Sequence, residues 1–329
     1  MTLQGGGETM TELNVETTDE PANENIPTNK RIRQIAWIVI AIVVTFLLGL
    51  GSGYLKWGQD ETAAARQQTQ LARLYEQVNP KDGYALPISY GNLGPQLIEA
   101  GVIDRGAFQN VMTSSGEPIT SQQMEMLTKG SNEKIVITAE NAHFLLNFFW
   151  AVGLANKNKI LTEGSMVQYS NGQIEGFAST GGWSLANKPV TGLYASLDLI
   201  PLTPEQQARV IEVASAVYRP CCNNSTLFPD CNHGMAMLGL LELMASQNAS
   251  VDEMFKAAKY VNAYWFPQQT LEIAMYIKAN QGTDFANADA RLVVGKELSS
   301  ASGAGMVHQS LQADGLLKQS PNQGGSCAN

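Results

Sequence analysis

The stretch Cys231-Asn-His-Gly-Met-Ala-Met-Leu-Gly-Leu-Leu-Glu-Leu-Met-Ala-Ser246 decides the fold class of this chain. From Gly234 onward, Met235, Met237, Leu238, Leu240, Leu241, Leu243 and Met244 form a near-continuous helical pattern, which is what a buried helix requires. Asp230 or Asn232 is placed to cap it, with His233 in its first turn. The segments around it carry their own punctuation. Thr138 can cap a strongly apolar helix from Ala139 to about Ala155. Thr203-Pro-Glu-Gln206 is a capping box with proline at the first helical position, opening a helix to about Tyr218. Ser250-Val-Asp-Glu253 opens another to about Tyr264, and Pro267 starts one that runs to about Asn280. The expected fold is mostly α, a multi-helix globular domain over 81–314. One small β-hairpin is expected over 166–177, turned by Asn171-Gly172.

A different pattern stands near the N-terminus. Ile35 to Gly53 is almost wholly apolar and carries no charge, and about 20 such residues span a bilayer as a helix. Lys30, Arg31 and Arg33 precede it and only Lys56 follows closely, so the positive-inside bias predicts a cytoplasmic N-terminus and an extracytoplasmic remainder. Trp37, Tyr54 and Trp57 suit the two interfaces. The expectation is a single-pass signal anchor over 34–55 in the cell membrane, preceded by a disordered acidic tail with a basic flank over 1–33. A juxtamembrane helix over 56–80 and a disordered tail over 315–329 complete the expected organisation.

The charge balance excludes one function class. The 329 residues hold 30 acids against 21 Lys and Arg, a net charge of −9, and from Lys56 onward no cationic run appears. A nucleic-acid partner needs a basic stripe to meet phosphates, so none is expected. A protein partner is compatible with the composition, and the membrane is the other expected partner.

Just before the buried helix, three of the four cysteines and one of the three histidines gather between Arg219 and Met237. Outside a cytoplasm, cysteines meet an oxidising environment. A structural disulfide between Cys222 and Cys231 is the first expectation, stabilising by about 2 to 3 kcal/mol through loop closure; Cys221 with Cys231 is equally open from sequence. The second expectation is a soft-metal site drawn from Cys221, Cys222, Cys231, His233 and Met237. His233 and Met237 lie one turn apart, and the positive end of a helix favours thiolate and neutral imidazole, the ligand forms. Thiolate, imidazole and thioether suit Cu(I), and thiolate with imidazole suits Zn(II). The spacing is not that of a known zinc module, and the Cys-x-x-Cys of redox enzymes is missing.

Glu140, His143 and Asn147 share one face of the helix after Thr138. A di-iron site fails by count, because neither His233 nor His308 has a glutamate three residues before it. The remaining readings are a polar helix start or one further ligand, His143, delivered to the His233 loop. No zinc-protease, nucleophile-elbow, phosphate-loop or haem-attachment motif is present. The sequence therefore points to a membrane-anchored extracytoplasmic binding or accessory module built around a Cys/His loop. The alternative is a metal-dependent or thiol-based enzyme using Cys231 and His233.

Overall fold

The computed structural model describes the backbone of residues 29–317, with side chains described except at 29–36, 50–64 and 67. The tails expected over 1–33 and 315–329, with Cys327, fall largely outside the described residues. The chain divides into two units, 1–66 and 67–329.

In the first unit the helix α1 (Asn29–Val78) begins, and the Thr45 hydroxyl folds back to donate to the carbonyls of Ala41 and Ile42. Among the described residues no helix is long and apolar enough to cross a membrane. This overturns the expected anchor over 34–55, and with it the membrane partner, the cytoplasmic N-terminus and the extracytoplasmic placement of the remainder. A span needs length and apolar content together, and no helix of the described residues combines them.

The second unit is helical around one small sheet. Strand β1 (Tyr84–Gly91) leads through α2 (Leu93–Glu99), α3 (Arg105–Ser114) and α4 (Ser121–Lys129) to β2 (Ser131–Ile137). The strands pair antiparallel, Tyr84 opposite Ile137 and Gly91 opposite Ser131, with the register shifting on either side of Ser89. Ser89 stands opposite Lys134, and its backbone groups are met by a side chain: Gln247 accepts from the Ser89 N–H at 2.9 Å and donates to its carbonyl at 2.8 Å. The sheet was not expected, and it moves the next helix. Because β2 runs to Ile137, α5 spans Ala142–Ala155, starting after Asn141 and not at Ala139.

Four short helices follow in the chain's longest irregular stretch: α6 (Lys159–Thr162), α7 (Ser165–Ser170), α8 (Ala178–Gly181) and a 3-10 turn at Ile174–Gly176 between the last two. The expected hairpin over 166–177 is therefore absent. Asn171 and Gly172 do take positive φ, 50° and 84°, but they use it to end α7 in a left-handed cap, a role the same residue types fill as readily as a hairpin turn.

The punctuated helices form as read. The capping box Thr203/Gln206 opens α9 (Pro204–Ala216), α10 spans Asn232–Ser246, the capping box Ser250/Glu253 opens α11 (Val251–Trp265), and α12 (Pro267–Gln281) begins on its proline. Two single turns, α13 (Ala290–Val293) and α14 (Lys296–Ser299), precede α15 (Ala301–Ala313).

The centre of the unit is the pair α5 and α10, each buried along almost its whole length. Gly153 and Gly239 set their separation. A Cβ built on Gly239 would lie 2.6 Å from the Gly153 nitrogen, and one on Gly153 would lie 3.0 Å from the Gly239 nitrogen. Backbones touch there, as close approach requires residues without side chains. Around the pair, the aromatic rings of Phe144, Phe148 and Phe149 and the aliphatic side chains of the sheet, α9 and α11 complete the main core. A second cluster packs Leu74 and Val78 with Ile273, Ile277, Phe285 and Leu311.

Candidate metal centre

The loop between α9 and α10 is built by turning the chain back on itself. Val217 leaves the helix in an extended conformation, and its carbonyl accepts from both the N–H and the hydroxyl of Thr226, at 2.9 and 3.1 Å. Asp230 is fixed from the other side, its carbonyl accepting from the Ser179 N–H at 3.0 Å. Cys222 and Asn223 are tied to the start of α15. The Cys222 carbonyl accepts from the Ala301 N–H at 2.9 Å, and Asn223 Oδ1 accepts from the N–H and hydroxyl of Ser302.

Arg219 fills the interior of this loop, with a side chain only 2% exposed. Its guanidinium donates from Nε to Cys231 Sγ at 3.1 Å, from Nη1 to the Asn224 carbonyl, and from Nη2 to the Phe228 carbonyl and to Asp230 Oδ1 at 2.7 Å. Asn224 donates to the other Asp230 oxygen at 2.8 Å. Gly234 leaves room for the guanidinium, since a Cβ there would sit 2.5 Å from Arg219 Cζ. A buried cation needs paired anions, and Asp230 and Cys231 supply them.

Cys231 itself caps α10, its sulfur accepting the Gly234 N–H at 3.4 Å. The two caps expected from the sequence are engaged elsewhere. Asp230 is held by Arg219 and Asn224, and Asn232 Oδ1 accepts from both the backbone N–H and Nδ1 of His233, each at 2.8 Å. That second pair fixes the imidazole tautomer. A backbone N–H can only donate, so the Asn232 atom is an oxygen, and Nδ1 must carry the proton that reaches it; Nε2 keeps the lone pair.

Electrostatics divides the three thiols. Hydrogen bonds from Cys221 and Cys222, helped by the charge and N–H of Arg219, hold Cys231 well below the usual thiol range despite its burial. Cys221 is pushed up, first by its hydrogen bonds with Cys222 and Cys231. Cys222 gains from its bond with Cys221, but the bond to Cys231 and burial leave it raised overall. Burial lowers His233 to about 4, assisted by Arg219. The loop thus biases one thiol toward thiolate and one imidazole toward its neutral form, the two ligand forms.

The donor atoms fall into two groups. Those of Cys221, Cys231 and His233 lie within 4.8 Å of one another, as do those of Cys222, Asp230 and Cys231. The Cys221 and Cys231 sulfurs are 3.6 Å apart, close to the edge of about 3.8 Å that Zn–S bonds of about 2.3 Å set in a tetrahedron. No disulfide at bonding distance is present among the described residues, and the expected pair, Cys222 and Cys231, is not joined. The disulfide was expected from an oxidising compartment, which rested on the membrane anchor.

The other candidates are placed elsewhere. Met237 packs in the hydrophobic core of α10. His143 turns to Ser115 and Glu117, at 3.3 and 3.7 Å, and belongs to neither donor group. Sequence reading assigned no role to Arg219, and none to Asp230 beyond capping. The available signal was that Arg219 is the one Lys or Arg in a stretch holding three cysteines. Comparison of the chain with protein-family models, with curated proteins and with solved structures finds no match.

Proposed function

We propose that the loop over 219–237 binds a thiophilic cation, Zn(II) or Cu(I), and that the chain acts as a binding or accessory module for that ion. The observation that carries this reading is the convergence of Cys221, Cys231 and His233 donor atoms within 4.8 Å. Supporting it, Cys231 is held as thiolate and His233 as a neutral imidazole of fixed tautomer. The Nδ1–H to Asn232 bond is the kind of outer contact that orients a metal-bound histidine. Cation binding displaces the proton shared between the Cys221 and Cys231 sulfurs.

The test is metal analysis of the full chain purified anaerobically with reductant, then metal-depleted and reloaded from buffered Zn(II) or Cu(I). Retention or uptake of at least one ion per chain is expected, with loss in Cys231→Ser and weakening of at least tenfold in His233→Ala. Absence of uptake by the reduced parent chain sinks the reading. The position of Cys231, ionised beside Arg219, favours thiol-based catalysis as the second reading. It is supported if the reduced chain takes up no metal while Cys231 alone is alkylated rapidly at neutral pH.

A further inference from the structure

Resting on that metal-binding reading, we infer that the loop holds two divalent cations of the Zn(II) class, bridged by the sulfur of Cys231. The donors do not converge as one set of four. Cys222 stands outside the group formed by Cys221, Cys231 and His233, yet forms a second group with Asp230 and Cys231. Cys231 is the one residue common to both, and its thiolate sulfur has three lone pairs, enough for two cations and the Gly234 N–H once the Arg219 Nε–H is released. Each group supplies three protein donors, two sulfurs with an imidazole nitrogen or two sulfurs with a carboxylate oxygen. Both sets suit Zn(II), which takes S, N and O ligands, whereas a carboxylate is a poor ligand for Cu(I).

Scaffolding agrees with a pair. Three thiolates and one carboxylate give four anionic donors, and with the Arg219 guanidinium against the shared sulfur at 3.1 Å two divalent cations leave the cluster with one positive charge in excess. Asp230 is aimed by two contacts, Arg219 on Oδ1 and Asn224 on Oδ2, so each oxygen retains a lone pair for a cation. Cys222 is anchored through its carbonyl to Ala301 on α15 and Cys231 through its cap to α10. The two halves of the second group are therefore held by different helices.

The experiment is titration of the reduced, metal-depleted full chain with Zn(II) against a chromophoric chelator, with equilibrium binding also measured in variants. The parent is expected to bind two ions, Cys222→Ser and Asp230→Asn one each, and Cys231→Ser none. Because Asp230→Asn also removes the Arg219 ion pair, the parent chain loaded with ¹¹³Cd(II) provides a second readout. Two resonances coupled to each other through the shared sulfur are expected. A parent stoichiometry of one, a single cadmium resonance, or loss of only one ion in Cys231→Ser overturns the bridged pair. A stoichiometry of one leaves the metal-binding reading standing, whereas no uptake removes both.

Discussion

Replacing Gly239 by alanine tests the contact on which the core of the second unit is built. The added methyl carbon would stand 2.6 Å from the Gly153 nitrogen and 3.1 Å from its Cα, where non-bonded carbon contacts settle at about 3.5 to 4.0 Å. The obstructing atoms are backbone, so no rotamer change relieves them. α5 and α10 must separate by about 1 Å, a gap that forfeits roughly a quarter to a half of the attraction of the contacts across it. Overpacking of this kind costs about 1 to 3 kcal/mol and sometimes more. Alanine in a helix interior returns about 0.8 to 1.0 kcal/mol of propensity. With both helices buried along their length, the expected net is a destabilisation of about 2 kcal/mol. Gly305, in α15, has nothing within 4 Å of its would-be Cβ, so Gly305→Ala keeps the propensity gain without the clash and should stabilise by about 0.5 to 1 kcal/mol. Urea unfolding of the full chain, followed by tryptophan fluorescence, should show midpoints moving in opposite directions with unchanged slopes. If Gly239→Ala unfolds at or above the parent midpoint, the backbone contact is not what sets the spacing of α5 and α10.

Arg219→Met leaves Asp230 and the Cys231 thiolate without their buried cation and should cost about 3 to 5 kcal/mol in the metal-depleted chain; a loss below about 1 kcal/mol would contradict the role assigned to the guanidinium. The same variant should move the pH profile of Cys231 alkylation upward, because one of the groups that favours the thiolate is gone. Glu242 is wholly buried on α10, its carboxyl oxygens lack a hydrogen-bond partner among the described residues, and burial raises its pKa well above the ordinary value despite Asn156 and Asn158 nearby. The folded chain therefore holds this proton where the unfolded chain has released it, and stability contributed below the ordinary carboxyl pKa declines as pH rises above it. Glu242→Gln should remove that decline, seen as a flatter dependence of the urea midpoint on pH and a higher midpoint at neutral pH; an unchanged pH dependence would refute the assignment.

What the sequence disclosed was local. The boxes Thr203/Gln206 and Ser250/Glu253 and the proline at 267 act within one turn, and α9, α11 and α12 start where they say. The sheet was invisible because β1 and β2 are separated by three helices, and no turn residues announce a pairing over that distance. Asn171-Gly172 misled because positive φ is required equally by a hairpin turn and a helix cap; only tertiary context chooses. The apolar run near the N-terminus has the composition of a span, yet no helix of the described residues is long and apolar enough to cross a membrane. In the loop, the residue types were legible and their partners were not. Cys231 became the cap because Asp230 and Asn232 were already committed to Arg219, Asn224 and His233, a competition within the loop that residue spacing does not rank.

The glycine contact also gives α10 the mechanics of a balanced beam. Gly239, where the helix rests on α5, lies midway between Cys231, which caps one end, and Gln247, which clamps Ser89 at the other. Each arm is about 12 Å long at 1.5 Å per residue. A rigid tilt about that fulcrum displaces the two ends by equal amounts in opposite directions, so a shift of the sulfur is matched at the irregular step in β1. The amide of Ser89, protected by a side chain instead of a neighbouring strand, is thus the natural gauge of what happens at the cysteine loop.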